Sequence, residues 1–246
     1  GTSQTVLTED FLAFDRNEEL EPLRLQYKDF SQWQNYLRKD GQIEKQERYW
    51  LDVFSGDIPR LNLPADYTRP EVFTFEGAGL EFEPEPDVTA KLRALGTQYG
   101  ATLYMNLMAV LNTLFFKYTG QTDIVIGSSI AGRPHADLQR IVGMFINSLP
   151  TRHYPEGTKT YEAFLKEILQ TSIQAFENQD VQFEELVDRL DVERDPSRNP
   201  IFDVDMVVEN FARITEGRSN DKKMSDSGPQ YRNTTAKFDM TFLVGE

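Results

Sequence analysis

The sequence predicts a mixed α/β layered domain, and three observations predict it. Long stretches carry apolar residues at helical spacing, short β-branched or alternating runs stand singly between them, and the two kinds alternate along 246 residues. Hydrophobic residues make up 39% and aromatics 12% of the chain. That is enough apolar surface for one large domain or two smaller lobes, and too much for a disordered polymer.

The elements follow in order. Val6, Leu7, Phe11 and Phe14 recur at helical spacing after Thr2 and Ser3, either of which makes a good N-cap. A second helical pattern starts at Tyr27 and places Phe30, Trp33 and Tyr36 or Leu37 on one face. Gly41 interrupts it, and Gln42 to Phe54 resumes with Ile43, Tyr49, Trp50 and Val53. Aromatic stripes at this spacing read as core. Ser55 to Glu71 contains Pro59, Pro64 and Pro70 and reads as an extended surface crossing. Val72 to Phe82 is strand-like, loosened by Gly77 and Gly79. Asp87 to Tyr99 is an amphipathic helix with Val88, Leu92, Leu95 and Tyr99 inward, and Thr102 to Tyr118 is a helix apolar nearly all round, stopped by Gly120.

Asp123 to Gly127 is a buried strand, and Val142 to Leu149 is a second core-like apolar run. Thr160 to Asn178 is a long helix burying Tyr161, Phe164, Leu165, Ile168, Leu169 and Phe176, and another helix begins at Phe183. Pro196 and Pro200 hold a charged turn. Phe202, Val204, Met206 and Val208 then alternate with Asp203 and Asp205, the pattern of a half-buried strand whose carboxylates line an exposed face. Glu216 to Asn233 is polar and reads as a loop, before a last alternating strand with Phe238, Met240, Phe242 and Val244.

Composition excludes several kinds of chemistry. The formal net charge of -14 makes nucleic acid and anionic membranes poor partners. No apolar run is long enough to span a bilayer, and no signal-peptide pattern opens the chain. With no cysteine there is no disulfide or thiolate, which fits a reducing cytoplasm. His135 and His153 do not stand at metal-ligand spacing, so no metal is expected. GSSIAGRP at Gly127 to Pro134 has the glycines of a phosphate loop, but Arg133 stands where such a loop needs Lys followed by Ser or Thr. Between the two apolar runs sit Arg133, His135, Asp137 and Arg140. A strand ending in a small-residue loop with one Arg holds a fixed charge beside a pocket; the same residues also read as a solvated turn. Asp203 and Asp205 form a carboxylate pair that suits either acid–base chemistry or an exposed strand face.

Four stretches carry a resemblance: YKDFSQW (Tyr27 to Trp33), IVGMFINSLPTR (Ile141 to Arg152), NQDVQFEEL (Asn178 to Leu186) and RDPSRNPIFDV (Arg194 to Val204). In this order and spacing they resemble the later core motifs of nonribosomal peptide synthetase condensation domains. LPADYTRP (Leu63 to Pro70) and AKFDMTF (Ala236 to Phe242) are further family-like stretches.

The resemblance implies a chloramphenicol-acetyltransferase-like α/β fold of two lobes, with mainly the C-terminal lobe present. Residues 1–54 would end the N-terminal lobe, 55–71 would cross between lobes, and 72–246 would form an incomplete C-terminal lobe. It implies amide formation between donor and acceptor substrates on the phosphopantetheine arms of two peptidyl carrier domains, with no cofactor bound directly. Gly1 would be the last residue of the family's HHxxxDG signature, whose histidines and aspartate would precede it. The chain alone, without its N-terminal lobe, would then be inactive. Arg133 would pair with the signature aspartate as a structural partner, and Asn199 would line the substrate tunnel or serve as a turn residue. Trp33, Phe145 and Phe183 would be core. Two alternatives stay open: a non-catalytic lobe that docks carrier proteins, and a related acyltransferase acting on a soluble acceptor.

Overall fold

The computed structural model describes residues 2–209 and 234–245. Seven helices and four strands are laid down among these residues: α1 (Thr2–Asp15), α2 (Tyr27–Lys39), α3 (Gln42–Val53), α4 (Pro86–Tyr99), α5 (Leu103–Thr119), β1 (Ile124–Ile130), β2 (Asn147–His153), α6 (Tyr161–Glu177), α7 (Phe183–Arg189), β3 (Val204–Glu209) and β4 (Met240–Gly245). The strands form one mixed sheet in the order β2-β1-β3-β4. β1 runs antiparallel to β2 from Ile124↔His153 to Ile130↔Asn147, and parallel to β3 with Gly127 opposite Asp205. β4 runs parallel to β3, with Asp205 opposite Thr241.

Local chemistry explains the helices. Thr102 caps α5 by accepting from Met105 N at 3.3 Å, and Gly120 closes it at φ +71. Thr160 caps α6 through Ala163 N at 3.2 Å. In α2 the backbone N–H of Gln26 donates to Asp29 at 2.8 Å, which places a carboxylate in the first turn against the helix dipole.

The sheet is covered on both faces. On one side α5 and α6 bury Met108, Ala109, Phe115, Leu165 and Ile168 against Ile124, Ile126, Val204 and Met206. On the other, α2, α3 and α7 bury Leu37, Trp50, Phe54 and Leu186 with Val125 and Phe202. Trp50 is 1% exposed and its indole N–H donates to Asn178 O at 2.7 Å, so its polar atom is satisfied at full burial. A smaller cluster of Phe30, Leu138, Ile141 and Phe145 lies under the loop that follows β1.

Several expectations are corrected. Val72 to Phe82 forms no strand; it contributes only the isolated bridge Glu76↔Thr235, because no neighbouring strand supplies a ladder. Val142 to Leu149 is not a continuous core run. Ile141, Phe145 and Asn147 point inward while Val142, Met144 and Ile146 are exposed, and β2 begins only at Asn147. In α1 only Val6 and Ala13 are buried, and Leu7, Phe11 and Phe14 face outward. Neither Thr2 nor Ser3 is a cap, since both lie within the helix. α5 is not apolar-buried all round: Val110, Leu114 and Tyr118 form an exposed line. Val88 and Phe176 are also exposed. Trp33 is 39% exposed and meets the Phe30 ring at a tilt of 35°, whereas Phe145 is buried and Phe183 partly so. The segment 55–71 is extended, as its prolines predict, and is strapped to the body. Arg60 pairs with Asp195 at 2.7 Å, Leu61 is buried, and Arg69 pairs with Asp239. The span 216–233 lies outside the described residues.

Candidate functional site

β1 ends at Ile130 and the chain turns through Ala131, Gly132 and Arg133. Gly132 sits at φ +61, and a Cβ there would lie 1.7 Å from the carbonyl oxygen of Phe145. Only glycine fits both the left-handed conformation and that approach. This brings the Arg133 guanidinium over the Phe145 ring, 4.0 Å from its centroid. Arg133 Nη1 donates to Leu138 O, and Nη2 donates to Ser3 Oγ at 3.0 Å. Ser3 Oγ in turn donates to Gly143 O at 2.8 Å and accepts from Gly143 N at 3.2 Å.

Four separate parts of the sequence therefore meet at this point. The first turn of α1 brings Ser3, the loop after β1 brings Arg133, and Gly143 and Tyr27 close the ring. Gly143 is tight for a physical reason: a Cβ would lie 2.2 Å from the Tyr27 ring. Tyr27 holds its place by donating its hydroxyl to Met144 O at 2.7 Å and meeting Phe145 edge-on at 5.1 Å. Asp10 and Arg140 pair at 2.6 Å and Arg24 with Asp137, so α1 and the preceding chain are pinned to the same loop. A small dent, with room for about 20 Å³, lies beside it, lined by Phe30, Gly132, Pro134, Phe145 and Asn147. Asn147 is buried and fully used: it donates to Gln179 O at 2.9 Å and Val181 O at 2.7 Å, and accepts from Phe183 N at 3.0 Å.

Among the described residues Arg133 faces no carboxylate, and burial lowers its pKa from the usual guanidinium value. It is a fixed positive charge at the start of α1, held to Ser3; Gly1 lies outside the described residues. Asn199 is half-buried in its turn and donates to Lys237 O at 2.8 Å, tying that turn to the segment before β4. His135 is exposed, its Nδ1 accepting from Asp137 N at 3.2 Å. His153 is buried at the end of β2 with Nε2 unpartnered, and burial alone lowers its pKa to about 3, so it stays neutral. Neither histidine meets Arg133 or the other.

The expectation that Asp203 and Asp205 line an exposed face is wrong. They are 6% and 3% exposed. β3 is an inner strand, between β1 and β4, and at its start the sheet has core packed on both faces, Val204 and Met206 in one layer and Phe202 in the other. Arg198 reaches Asp203 at 2.5 Å and partly offsets the upward pKa shift that burial causes. Asp205 has Ser129 at 3.3 Å, and burial pushes its pKa up to about 6.

Sequence reasoning missed Ser3, Tyr27 and Gly143, whose contacts span more than a hundred residues and leave no local pattern. Among the described residues no helix is long and apolar enough to cross a membrane, and no group of three or more His, Asp and Glu is placed to hold a metal ion. The described side chains thus supply a positioned positive charge, a buried carboxylate and no nucleophile–base pair.

Comparison with known proteins bears directly on this arrangement. The family model described as Condensation domain matches residues 1–246. The chain is 43% identical to bacitracin synthase 3 of Bacillus licheniformis across its whole length, which is 4% of that protein. It is also 43% identical to gramicidin S synthase 2 of Brevibacillus brevis, again over all of this chain and 6% of that one. The chain therefore spans a small fraction of these curated relatives. Among solved structures, the X-domain from teicoplanin biosynthesis superposes with a TM-score of 0.75 at 25% identity, covering 85% of this chain and 49% of that one. The condensation domain from the monacolin K polyketide synthase MokA shares the fold at a TM-score of 0.73 and 19% identity, covering 85% of this chain and 51% of that one. With the family model matched from end to end, the chain belongs to the condensation-domain family of nonribosomal peptide synthetases.

Proposed function

We propose that this chain is part of an amide-forming condensation domain that joins a carrier-bound aminoacyl or peptidyl donor to a carrier-bound aminoacyl acceptor. The acceptor amine attacks the donor thioester carbonyl, the C–N bond forms, the C–S bond breaks, and the amine's proton leaves with the donor thiol released. What supports this reading is the family match over every residue, together with the placement of Arg133. Residues 1–54, 55–71 and 72–246 are proposed as lobe end, crossing and C-terminal lobe.

In this reading Arg133 pairs, through a bidentate ion pair, with the aspartate of the family's HHxxxDG signature. Its guanidinium has free donor capacity there, and Ser3 and Phe145 fix its plane. Its part is to set the position of whatever group manages the amine's proton, not to move the proton. In this reading neither His135 nor His153 handles that proton, since neither stands in an HHxxxDG. The two substrates arrive on phosphopantetheine arms of carrier domains in the cytoplasm, and no cofactor is held by this chain. Asn199 is proposed to stand at the tunnel wall.

The test is a single-turnover reaction of the native polypeptide with donor-loaded and acceptor-loaded carriers, read by intact-protein mass spectrometry. Gain of the donor mass on the acceptor arm is the expected result. Carrier binding without transfer leaves a docking lobe instead, and transfer to a free amine in preference to a carrier-bound one identifies a soluble-acceptor acyltransferase.

A further inference from the structure

We infer that Asp205 and Ser129 form a subsite for an alkylammonium group, the cationic side chain of a substrate amino acid, and so rank substrates for the amide-forming reaction proposed above. Val204 and Met206 face the α5–α6 core, so the intervening Asp205 faces the opposite side of the sheet. There it has Gly127 on one side and the exposed Thr241 on the other. Toward the start of β3, the Phe202 ring lies over Gly127, where a Cβ would come within 2.1 Å, and packs on Phe183 and Phe238. That closes the sheet face on one side of Asp205. On the other side, among the described residues, no aromatic packs on it: Ser129, Ser148 and Val207 are half-buried and Leu243 is 60% exposed. Asp205, the second residue of β3, stands where the aromatic-covered part of the sheet gives way to the part on which Thr241 and Leu243 are exposed.

The carboxylate is short of partners at that edge. Oδ2 accepts from Ser129 Oγ at 3.3 Å, and the Ser129 backbone N–H also supports the carboxylate. Oδ1 is buried and has no donor. Its strand neighbour Asp203 has Arg198, whereas among the described residues no cation reaches Asp205. An ionised buried carboxylate lacks both a hydrogen bond and a countercharge. A water molecule restores the first and not the second. A primary ammonium restores both, donating to Oδ1 and to Ser129 Oγ, and the neighbouring Val207 and Leu243 give its alkyl stem an apolar wall. Ser129 is the last residue but one of β1, the strand that runs into the Arg133 loop.

The test has two arms, one independent of the proposed reaction. In the first, NMR follows the Asp205 carboxyl in the native polypeptide with n-butylammonium chloride or with n-butanol. Butylammonium is expected to lower the Asp205 titration midpoint and shift Ser129, with butanol doing neither; equal effects, or no effect of butylammonium, overturn the subsite. In the second arm, acceptor or donor carriers are loaded with lysine or its apolar isostere norleucine. Wild type is expected to favour lysine about tenfold, the size of one charge-assisted hydrogen bond, and Asp205→Asn to erase the preference. Amide formation without any lysine preference, or a preference retained in Asp205→Asn, overturns the subsite and leaves the condensation reading intact. A butylammonium effect without amide formation supports the subsite and removes that reading. The wild-type NMR arm stands even if Asp205→Asn fails to fold.

Discussion

Two buried groups of opposite sense make the pH dependence of stability a quantitative test of the central strands. Burial pushes the Asp205 carboxyl up to about 6 from an ordinary value of 3.8. Between those values the folded chain binds a proton that the unfolded chain has already lost, so raising the pH through this window costs stability. The shift of roughly two pKa units corresponds to about 3 kcal/mol at most, reached at pH 6 and constant above it. His153 runs the other way. Its folded pKa is lowered to about 3 from 6.5, so its contribution is whole above pH 6.5 and is lost at about 1.4 kcal/mol per unit as pH falls toward 3. From pH 6 down to pH 4 the two nearly cancel in the wild-type chain. Asp205→Asn removes one of them. The variant is expected to match wild type at pH 3.5, gain on it progressively, and exceed it by up to about 3 kcal/mol at pH 8. Exposed carboxylates such as Asp195 titrate alike in both proteins, so the difference isolates Asp205. Urea unfolding followed by the fluorescence of buried Trp50 measures it. A difference that does not change with pH, or a variant less stable at pH 8, refutes the assignment of Asp205 as a buried carboxylate without a countercharge.

Other perturbations act on the loop and its supports. Gly132→Ala forces a residue at φ +61 against the Phe145 carbonyl, and is expected to cost about 2–4 kcal/mol and several degrees of melting temperature. A variant that melts with wild type shows that this approach is not close in solution. Asn147→Ala leaves the carbonyls of Gln179 and Val181 and the N–H of Phe183 without their partner, an expected loss of about 2–4 kcal/mol by denaturant titration. Phe11→Ser and Met144→Ser, on exposed side chains, are expected to change stability by less than about 0.5 kcal/mol; a larger loss measured the same way means those side chains are covered.

Much of this fold is visible in the residues, and the exceptions have physical causes. α5 and α6 are legible because cap, periodicity and stop agree within one stretch, as Thr102 and Gly120 do for α5. β1 is legible because its β-branched run is short and bounded. Asp203 and Asp205 misled because alternation reports which residues differ, not which side is covered; Arg198 and Ser129 make their burial tolerable from elsewhere in the chain. Val72 to Phe82 has strand composition but no strand beside it, and pairing is not written in a segment's own residues. At the site, Arg133 stood out by its small-residue loop. Ser3 did not, because a serine near a helix start reads as a cap, and its contact with Gly143 is 140 residues away. The outward-facing Leu7, Phe11 and Phe14 follow helical spacing without packing inward, since periodicity identifies the helix and not what covers it.

The measurement that bears most directly on Arg133 as the positioning residue of an amide-forming site is the steady-state comparison of Arg133→Ala and Arg133→Lys with wild type in the native polypeptide, with loaded carriers. If Arg133 pairs with the signature aspartate, Arg133→Ala lowers kcat by about ten- to a hundredfold while KM for each carrier is unchanged, and Arg133→Lys, a single point charge without the fork, recovers part of the loss. A wild-type kcat in Arg133→Ala contradicts the positioning role, and so does a fall in apparent kcat that simply follows the loss of folded protein in a thermal melt.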